Sequence, residues 1–261
     1  MPLFYDQLNR QINLPSVPQR IISVVPSQTE LLFYLGLDKE VIGITKFCIH
    51  PAGKFKAATK IGGTKQLDLA HIKALRPDLI IANKEENDRS QLEELMQHFP
   101  VWISDIYNLE DALDMIEHLG ALTGKSSEAT ALCNAVKENF STLVPSLSAL
   151  KTAYFIWRKP YMVAGKNTFI DNMLQKCGLV NVFAAERYPE VSLSEITEAR
   201  PDVILLSSEP YPFKEKHIAE LSAAAPAAII KLVDGEMFSW YGSRLLKAPG
   251  YFQDLINSLH R

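Results

Sequence analysis

The chain has 261 residues, 47% of them hydrophobic and 22% charged, which excludes a disordered, collagenous or coiled-coil protein and leaves one large or two small globular domains. Twenty-seven Lys and Arg stand against 30 Asp and Glu, so the net charge of -3 supplies no overall field for a polyanion and nucleic acid is not an expected partner. The longest apolar runs, residues 79–82 and 203–206, fall far short of the roughly 20 residues that a membrane-spanning helix needs. Residues 1–10 contain Asp6 and lack a basic start followed by an apolar stretch. They do not read as a secretory signal, and the chain as written is expected in the cytoplasm, or in the periplasm or cell envelope if a leader has been removed. Cys48, Cys133 and Cys177 are odd in number and form no Cys-x-x-Cys pair, the pattern of core thiols and not of a disulfide framework or zinc ribbon.

In chain order, residues 21–25 read as a buried strand. Ser27 then offers a helix cap, with Glu30 completing an S-x-x-E box ahead of Leu31, Leu32 and Leu35, and Gly36 as the stop. Residues 69–83, LAHIKALRPDLIIAN, run from an amphipathic helix through Arg76-Pro77-Asp78 into a continuous apolar strand. Residues 109–122 are helical in pattern, and so are residues 127–143, with Ala129, Leu132, Val136, Phe140 and Leu143 on one stripe. Thr123, Gly124 and Lys125 interrupt this helical connector, and Pro145 marks its end. A strand at 153–157 opens the second half, where residues 193–207, LSEITEARPDVILLS, repeat the earlier helix, Arg-Pro-Asp and strand; a last strand follows at 229–233. The repeat interval is domain-sized, and strands without alternation indicate parallel sheets covered on both faces. The expectation is an α/β fold of two α/β lobes with mostly parallel sheets, bridged by a single long helix, with a ligand cleft between the lobes. Its boundaries are 1–108 for the N-terminal lobe, 109–146 for the helical connector and 147–261 for the C-terminal lobe.

Gly120 to Ser126 reads GALTGKS, one residue short of a phosphate-binding loop between its glycines and placed after a helix, so a helix-to-helix turn is expected. No glycine-rich nucleotide motif or nucleophile elbow is present. Asn139 opens an Asn-Phe-Ser sequon on an apparent buried helix face, which reads as chance. Cys48 and His50, two residues apart in KFCIHP, could hold a soft metal together, but two ligands are not a site. In open parallel sheets ligands bind beyond the carboxyl ends of the strands. That rule selects residues 26–30, with Ser27 and Gln28, then 45–50 with His50, 84–87 with Lys84 and Glu85, 158–161 with Arg158, and 207–211. The run 84–87 reads equally as a solvated helix start. Trp240, Tyr241 and Arg244 combine stacking surface with a fixed cation, core packing of Trp240 being the alternative.

The order of elements resembles the class III periplasmic-type substrate-binding proteins, the group that carries cobalamin and ferric siderophores to ABC importers. RIISVVPSQTELLFYLGL looks like that family's opening strand and helix, IGGTKQLDLAHIKALRPDLIIAN like its second segment, and AGKNTFIDNMLQKCGLVNVF with VSLSEITEARPDVILL like its second lobe. The resemblance implies two lobes joined by one rigid helix and a ligand between them. Positions matching the ligand-contacting loops of cobalamin-binding members are His50, Lys65 or Thr64, Lys84, Tyr188 and Trp240 to Arg244. Cobalamin binders present aromatics at most of these loops, whereas His50 and Lys84 make them more polar here. The family docks its importer through one exposed Glu on each lobe. Those positions read Ala70 and Ser194, with the acidic neighbours Asp68 two residues and Glu195 one residue away, and each residue turns a helical side chain by about 100°.

The leading expectation is therefore a non-enzymatic substrate-binding protein of ABC-importer type. Trp157, Tyr188, Trp240 and Tyr241 would give apolar contact, and Lys65, Lys84, Arg158 and Arg244 would pair with anionic groups of a corrinoid or ferric chelate. No covalent cofactor is expected, only a bound corrinoid, ferric chelate or metal ion; an ABC permease is the implied partner, and a monomer is the implied state. The alternative is a cytoplasmic relative uncoupled from an importer, acting as a metal or ligand sensor or as an enzyme on a small anionic substrate, with His50 as acid or base and Glu85 or Glu86 as its partner.

Overall fold

A computed structural model describes residues 3–56 and 58–259. The chain divides into two compact units. The first takes residues through Ile106, then Glu110–Val136 and Tyr241–Arg244; the second takes Tyr107–Leu109, Lys137–Trp240 and the chain from Leu245 onward.

The first unit contains β1 (Phe4–Tyr5), β2 (Gln11–Ile12), β3 (Ile21–Ser23), α1 (Pro26–Tyr34), β4 (Val41–Ile44), β5 (Thr59–Lys60), α2 (Leu69–Leu75), β6 (Leu79–Asn83), α3 (Arg89–Met96), β7 (Val101–Ser104), α4 (Leu109–Leu122) and the larger part of α5 (Ser126–Ser141). Its main sheet is wholly parallel, in the order β5-β4-β3-β6-β7. The apolar strands occupy the middle: Ile21, Ile22 and residues 79–82 are inaccessible to solvent. Helices on both faces hide both sets of side chains, which is why no alternation marks these strands.

The first helix departs from the sequence expectation. Pro26, with its fixed φ and no N–H to satisfy, takes the first helical turn, and Val25 is the N-cap with no side-chain hydrogen bond. Ser27 is thus inside the helix and the S-x-x-E box does not form; the carboxylate of Glu30 pairs with Arg244 instead. Gly36, at φ 80°, ends the helix as expected. The GALTGKS segment is the turn between α4 and α5, with the Lys125 N–H bonded to the Gly120 carbonyl at 2.7 Å. A Cβ on Gly120 would lie 2.3 Å from that of Ala129, so glycine is what allows the two helices to meet.

The second unit contains β8 (Lys151–Trp157), β9 (Tyr161–Val163), α6 (Phe169–Lys176), β10 (Val180–Asn181), β11 (Glu190–Val191), α7 (Leu193–Ala199), β12 (Val203–Ser207), α8 (Glu215–Ala224), β13 (Ile229–Val233), α9 (Gly235–Ser239) and α10 (Ala248–Leu259). Its sheet runs β11-β9-β8-β12-β13, with β10 beside the start of β8. β8, β10, β12 and β13 are parallel, while β9 and β11 join antiparallel.

Both copies of the repeat work the same way. α2 and α7 each end on an arginine in the left-handed conformation, Arg76 and Arg200, both at φ 46°. After the proline, the aspartate opens the next strand and grips the start of its neighbour. Asp78 donates its N–H to the Arg20 carbonyl, and its carboxylate accepts the Gln19 and Arg20 N–H groups at 2.7 and 2.8 Å. Asp202 donates to the Lys151 carbonyl and accepts the Lys151 N–H at 2.8 Å. The motif therefore sets the register of adjacent parallel strands.

Candidate functional site: the loops at the carboxyl ends of the strands

In the first unit, the loop after β6 is a locked turn. Asn83 Oδ1 accepts the N–H groups of Glu85 and Glu86 at 2.8 and 3.0 Å, and Asn83 Nδ2 donates to Ser104 Oγ. Asn87 accepts the Asn83 N–H and donates to the carbonyls of Val24 and Thr64 at 3.1 and 3.0 Å, so it ties three strand-end loops together. The following helix starts only at Arg89, capped by Asp88. Residues 84–87 are thus not a solvated helix start. Lys84 reaches Asp105 at 2.6 Å, and Lys65 donates to the carbonyls of Glu85 and Asn87.

Ser27 and Gln28 are buried at this edge; Gln28 Nε2 donates to Ser104 Oγ, while Ser27 Oγ and Gln28 Oε1 have no hydrogen-bond partner among the described residues. His50 is half-buried. Cys48 is fully buried, its thiol 3.1 and 3.2 Å from the hydroxyls of Thr29 and Thr45, and burial pushes its pKa up. A thiol held in this way is neither ionised nor directed to a ligand at neutral pH. Among the described residues no group of three or more His, Cys, Asp or Glu is placed to hold a metal ion, so Cys48 and His50 gather no third ligand there.

Tyr241 and Arg244 are buried and bonded within the same unit. The Tyr241 hydroxyl donates to Glu86 Oε1 at 2.7 Å, and the Arg244 guanidinium grips both oxygens of Glu30 at 2.9 and 3.1 Å. Arg244, expected to meet an anionic group of a ligand, instead holds segment 241–244 to α1.

In the second unit, Trp157 at the end of β8 is 40% exposed and meets Tyr211 edge-on at 5.7 Å between centroids. Tyr211 packs in turn on Phe213 and His217. Arg158 is committed to Glu220 through two bonds of 2.7 and 3.1 Å. The Tyr161 hydroxyl and the Arg158 guanidinium beside it hold the Glu220 carboxyl below the usual range, while burial raises the Tyr161 hydroxyl to about 12. Trp240 is buried and donates its indole N–H to Glu209 at 2.8 Å, with the Ser239 hydroxyl on the same oxygen. Burial nevertheless raises the Glu209 pKa. Tyr188 is half-buried on the loop before β11.

The structure therefore joins Gln28, Lys65, Lys84, Glu85 and Tyr241 through the strand-end hydrogen bonds of the first unit, with Ser27 buried beside Gln28 on α1 and Arg244 bonded to Glu30 of that helix. Trp157 and Arg158 lie together in the second. The anchoring partners Glu30, Asn83, Asn87, Glu209 and Glu220 were not singled out from sequence as anchors. Burial alone turns ordinary surface types into such anchors, and no spacing announces it.

The sequence pattern of the family described as "Periplasmic binding protein" matches residues 21–228. A vitamin B12-binding protein of Vibrio parahaemolyticus serotype O3:K6 (strain RIMD 2210633) is 32% identical over 216 residues, 79% of this chain and 76% of that protein. Among solved structures, a periplasmic heme-binding protein from Pseudomonas aeruginosa superposes with a TM-score of 0.77 at 21% identity, covering 92% of each chain. The periplasmic catecholate-siderophore-binding protein of Vibrio cholerae superposes with a TM-score of 0.76 at 16% identity, covering 98% of this chain and 99% of the other. These likenesses share the two-lobed α/β fold, and the matched proteins are named as binding proteins. The chain belongs to the periplasmic binding protein family.

Proposed function

We propose that the chain captures a metal chelate or corrinoid outside the cytoplasmic membrane and hands it to an ABC-type importer. The observation that carries this reading is the family match over residues 21–228, joined to 32% identity with a vitamin B12-binding protein over 79% of the chain. The strand-end loops support it. Trp157 offers an exposed ring on an aromatic base, and His50, Lys65, Lys84, Glu85 and Tyr188 supply polar contacts. Gln28, Arg158, Trp240, Tyr241 and Arg244 act from behind, holding these loops rigid, and Ser27 is buried beside Gln28. Preorganised loops lower the entropy lost on binding.

Importer docking would use Asp68 and Glu195. Both are exposed and fixed at the first turns of the repeated helices, where Asp68 caps α2 and Glu195 bonds the Ser192 N–H at 2.7 Å.

Tryptophan fluorescence tests the reading. Trp102 and Trp240 are buried and Trp157 is exposed, so ligand quenching should report on Trp157. Titration with cyanocobalamin, hemin and a ferric catecholate complex should give saturable quenching by at least one of them at about micromolar concentration or below, near 8 kcal/mol of binding free energy. Trp157→Phe should lose most of the signal. No response and no retention in equilibrium dialysis for all three would overturn the proposal.

A further inference from the structure

Segment 208–214, between β12 and α8, carries Tyr211, the ring that Trp157 meets edge-on. Backbone bonds set its course: the Tyr211 N–H donates to the Ile156 carbonyl and the Phe213 N–H to the Ser207 carbonyl, both at 3.3 Å. Phe213 and His217 are buried, and the imidazole packs on Phe213 and Tyr211 at 5.5 and 5.6 Å between ring centroids. His217 thus supports the segment from α8.

The join is a hydrogen bond that a protonated imidazole cannot make. Lys214 is the N-cap residue of α8, and His217, three residues on, accepts the Lys214 N–H on Nδ1 at 2.9 Å. This is the returning half of a capping box, at a position where Glu or Gln ordinarily stands. A backbone N–H only donates, so Nδ1 carries a lone pair and the ring proton sits on Nε2, 3.4 Å from the Tyr211 hydroxyl. A second proton has to go on Nδ1, where it faces the Lys214 N–H and breaks the join.

The surroundings oppose that proton. Charged groups reach the imidazole from Arg158 beyond β8, Lys214 in the segment, and Lys216 and Glu220 on α8. Desolvation first, then Arg158 and Lys216, hold the His217 pKa below the ordinary histidine value, and the opposing Glu220 is gripped by Arg158 at 2.7 Å. The Tyr161 hydroxyl of β9, raised to about 12, adds no charge, and Glu209 on the same segment is bonded to Ser239 and Trp240. The folded chain therefore favours the neutral ring. Its contribution to stability is present above the ordinary histidine pKa and is lost as pH falls through the lower folded value.

We infer that His217 is the positioning residue of the Trp157–Tyr211 face and works only in its neutral form, so that acid releases segment 208–214 and weakens the binding this face supports. The effect on affinity rests on the binding reading above; the loosening is a property of the ligand-free chain.

The test compares the unaltered chain with His217→Gln, His217→Ala and Glu209→Gln at pH 7.5 and pH 4.5. Without ligand, hydrogen exchange across residues 208–217 should be roughly tenfold faster at pH 4.5 in the unaltered chain than in His217→Gln, which keeps a box-forming acceptor that does not titrate. His217→Ala should exchange fast at both pH values, with the thermal midpoint at pH 7.5 checking that the fold is retained. Glu209→Gln removes the other acid-sensitive group of the segment and should respond to acid as the unaltered chain does. Cyanocobalamin, hemin and a ferric catecholate complex report on affinity. A probe that binds should show a Kd about tenfold weaker at pH 4.5 for the unaltered chain than for His217→Gln, a comparison in which the probe's own titration cancels. Equal exchange in the unaltered chain and His217→Gln at pH 4.5, an acid response abolished by Glu209→Gln, or equal Kd values for the two chains would overturn the inference and leave the binding reading standing. Loosening in acid with no binding of any probe would overturn the binding reading, and with it the effect on affinity.

Discussion

The two units are alike at one end of their sheets and unlike at the other. Where the strands begin, each unit carries a helix ending on a left-handed arginine, then proline, then an aspartate that grips the neighbouring strand. Where the strands finish, the first unit presents Lys46 beside exposed Phe47 and Ile49, while the second presents Trp157 edge-on to Tyr211 with Arg158 bonded to Glu220. Strand starts answer to register, a requirement that both sheets share. Strand ends, where the proposed function puts the ligand, carry no such shared requirement. Similarity within one chain therefore locates a shared demand of stability, and on the proposed function dissimilarity locates recognition.

Substitutions can break this comparison in graded steps. The largest effect is expected from Arg244→Ala, which strands the enclosed carboxylate of Glu30; urea unfolding should show a loss of about 3 kcal/mol. The counterpart in the second unit, Arg158→Ala, removes a more exposed pair with Glu220 and should lower the thermal midpoint distinctly less. If the two losses were equal, burial would not be what separates the two anchors.

Next come the strand starts. Asp78→Ala removes two charge-assisted bonds and should cost about 2 kcal/mol, and Asp202→Ala, with one bond at a more exposed site, about 1 kcal/mol. Neither should alter ligand affinity, and a change in Kd without loss of stability would contradict the division of labour between the two ends.

A smaller effect involves pH. Burial raises the Glu209 pKa above its unfolded value, so the folded state favours the protonated acid. The resulting stability is fully present below the ordinary Glu range and is lost as pH rises through the folded pKa. Glu209→Gln keeps an oxygen for Ser239 and Trp240, so its stability relative to the unaltered chain should improve as pH climbs from 4 to 8, checked by urea unfolding at each pH. The smallest signal is chemical. Cys48, Cys133 and Cys177 are buried free thiols, and burial raises Cys177 to about 12, so a disulfide reagent at pH 8 should label none in the folded chain and all three in denaturant.

The strand starts were legible because Arg-Pro-Asp is a local device: proline, a helix end and a short acceptor act within a few residues. The helix-to-helix turn at GALTGKS was legible for the same reason. The capping role of Ser27 was misread because Pro26 competes for the helix start and wins, freeing Glu30 for a partner more than two hundred residues away in sequence. Trp240, Tyr241 and Arg244 stand out in the sequence, yet whether such side chains face solvent or fasten a loop depends on Glu209, Glu86 and Glu30, which only folding brings near.

Hydrogen–deuterium exchange with and without the tightest-binding of the three probes tests the contrast between the two ends most directly. The strand-end residues 45–50 and 207–211 should gain protection on binding, while the strand starts at 76–80 and 200–204 stay unchanged. Protection confined to the strand starts would contradict the account.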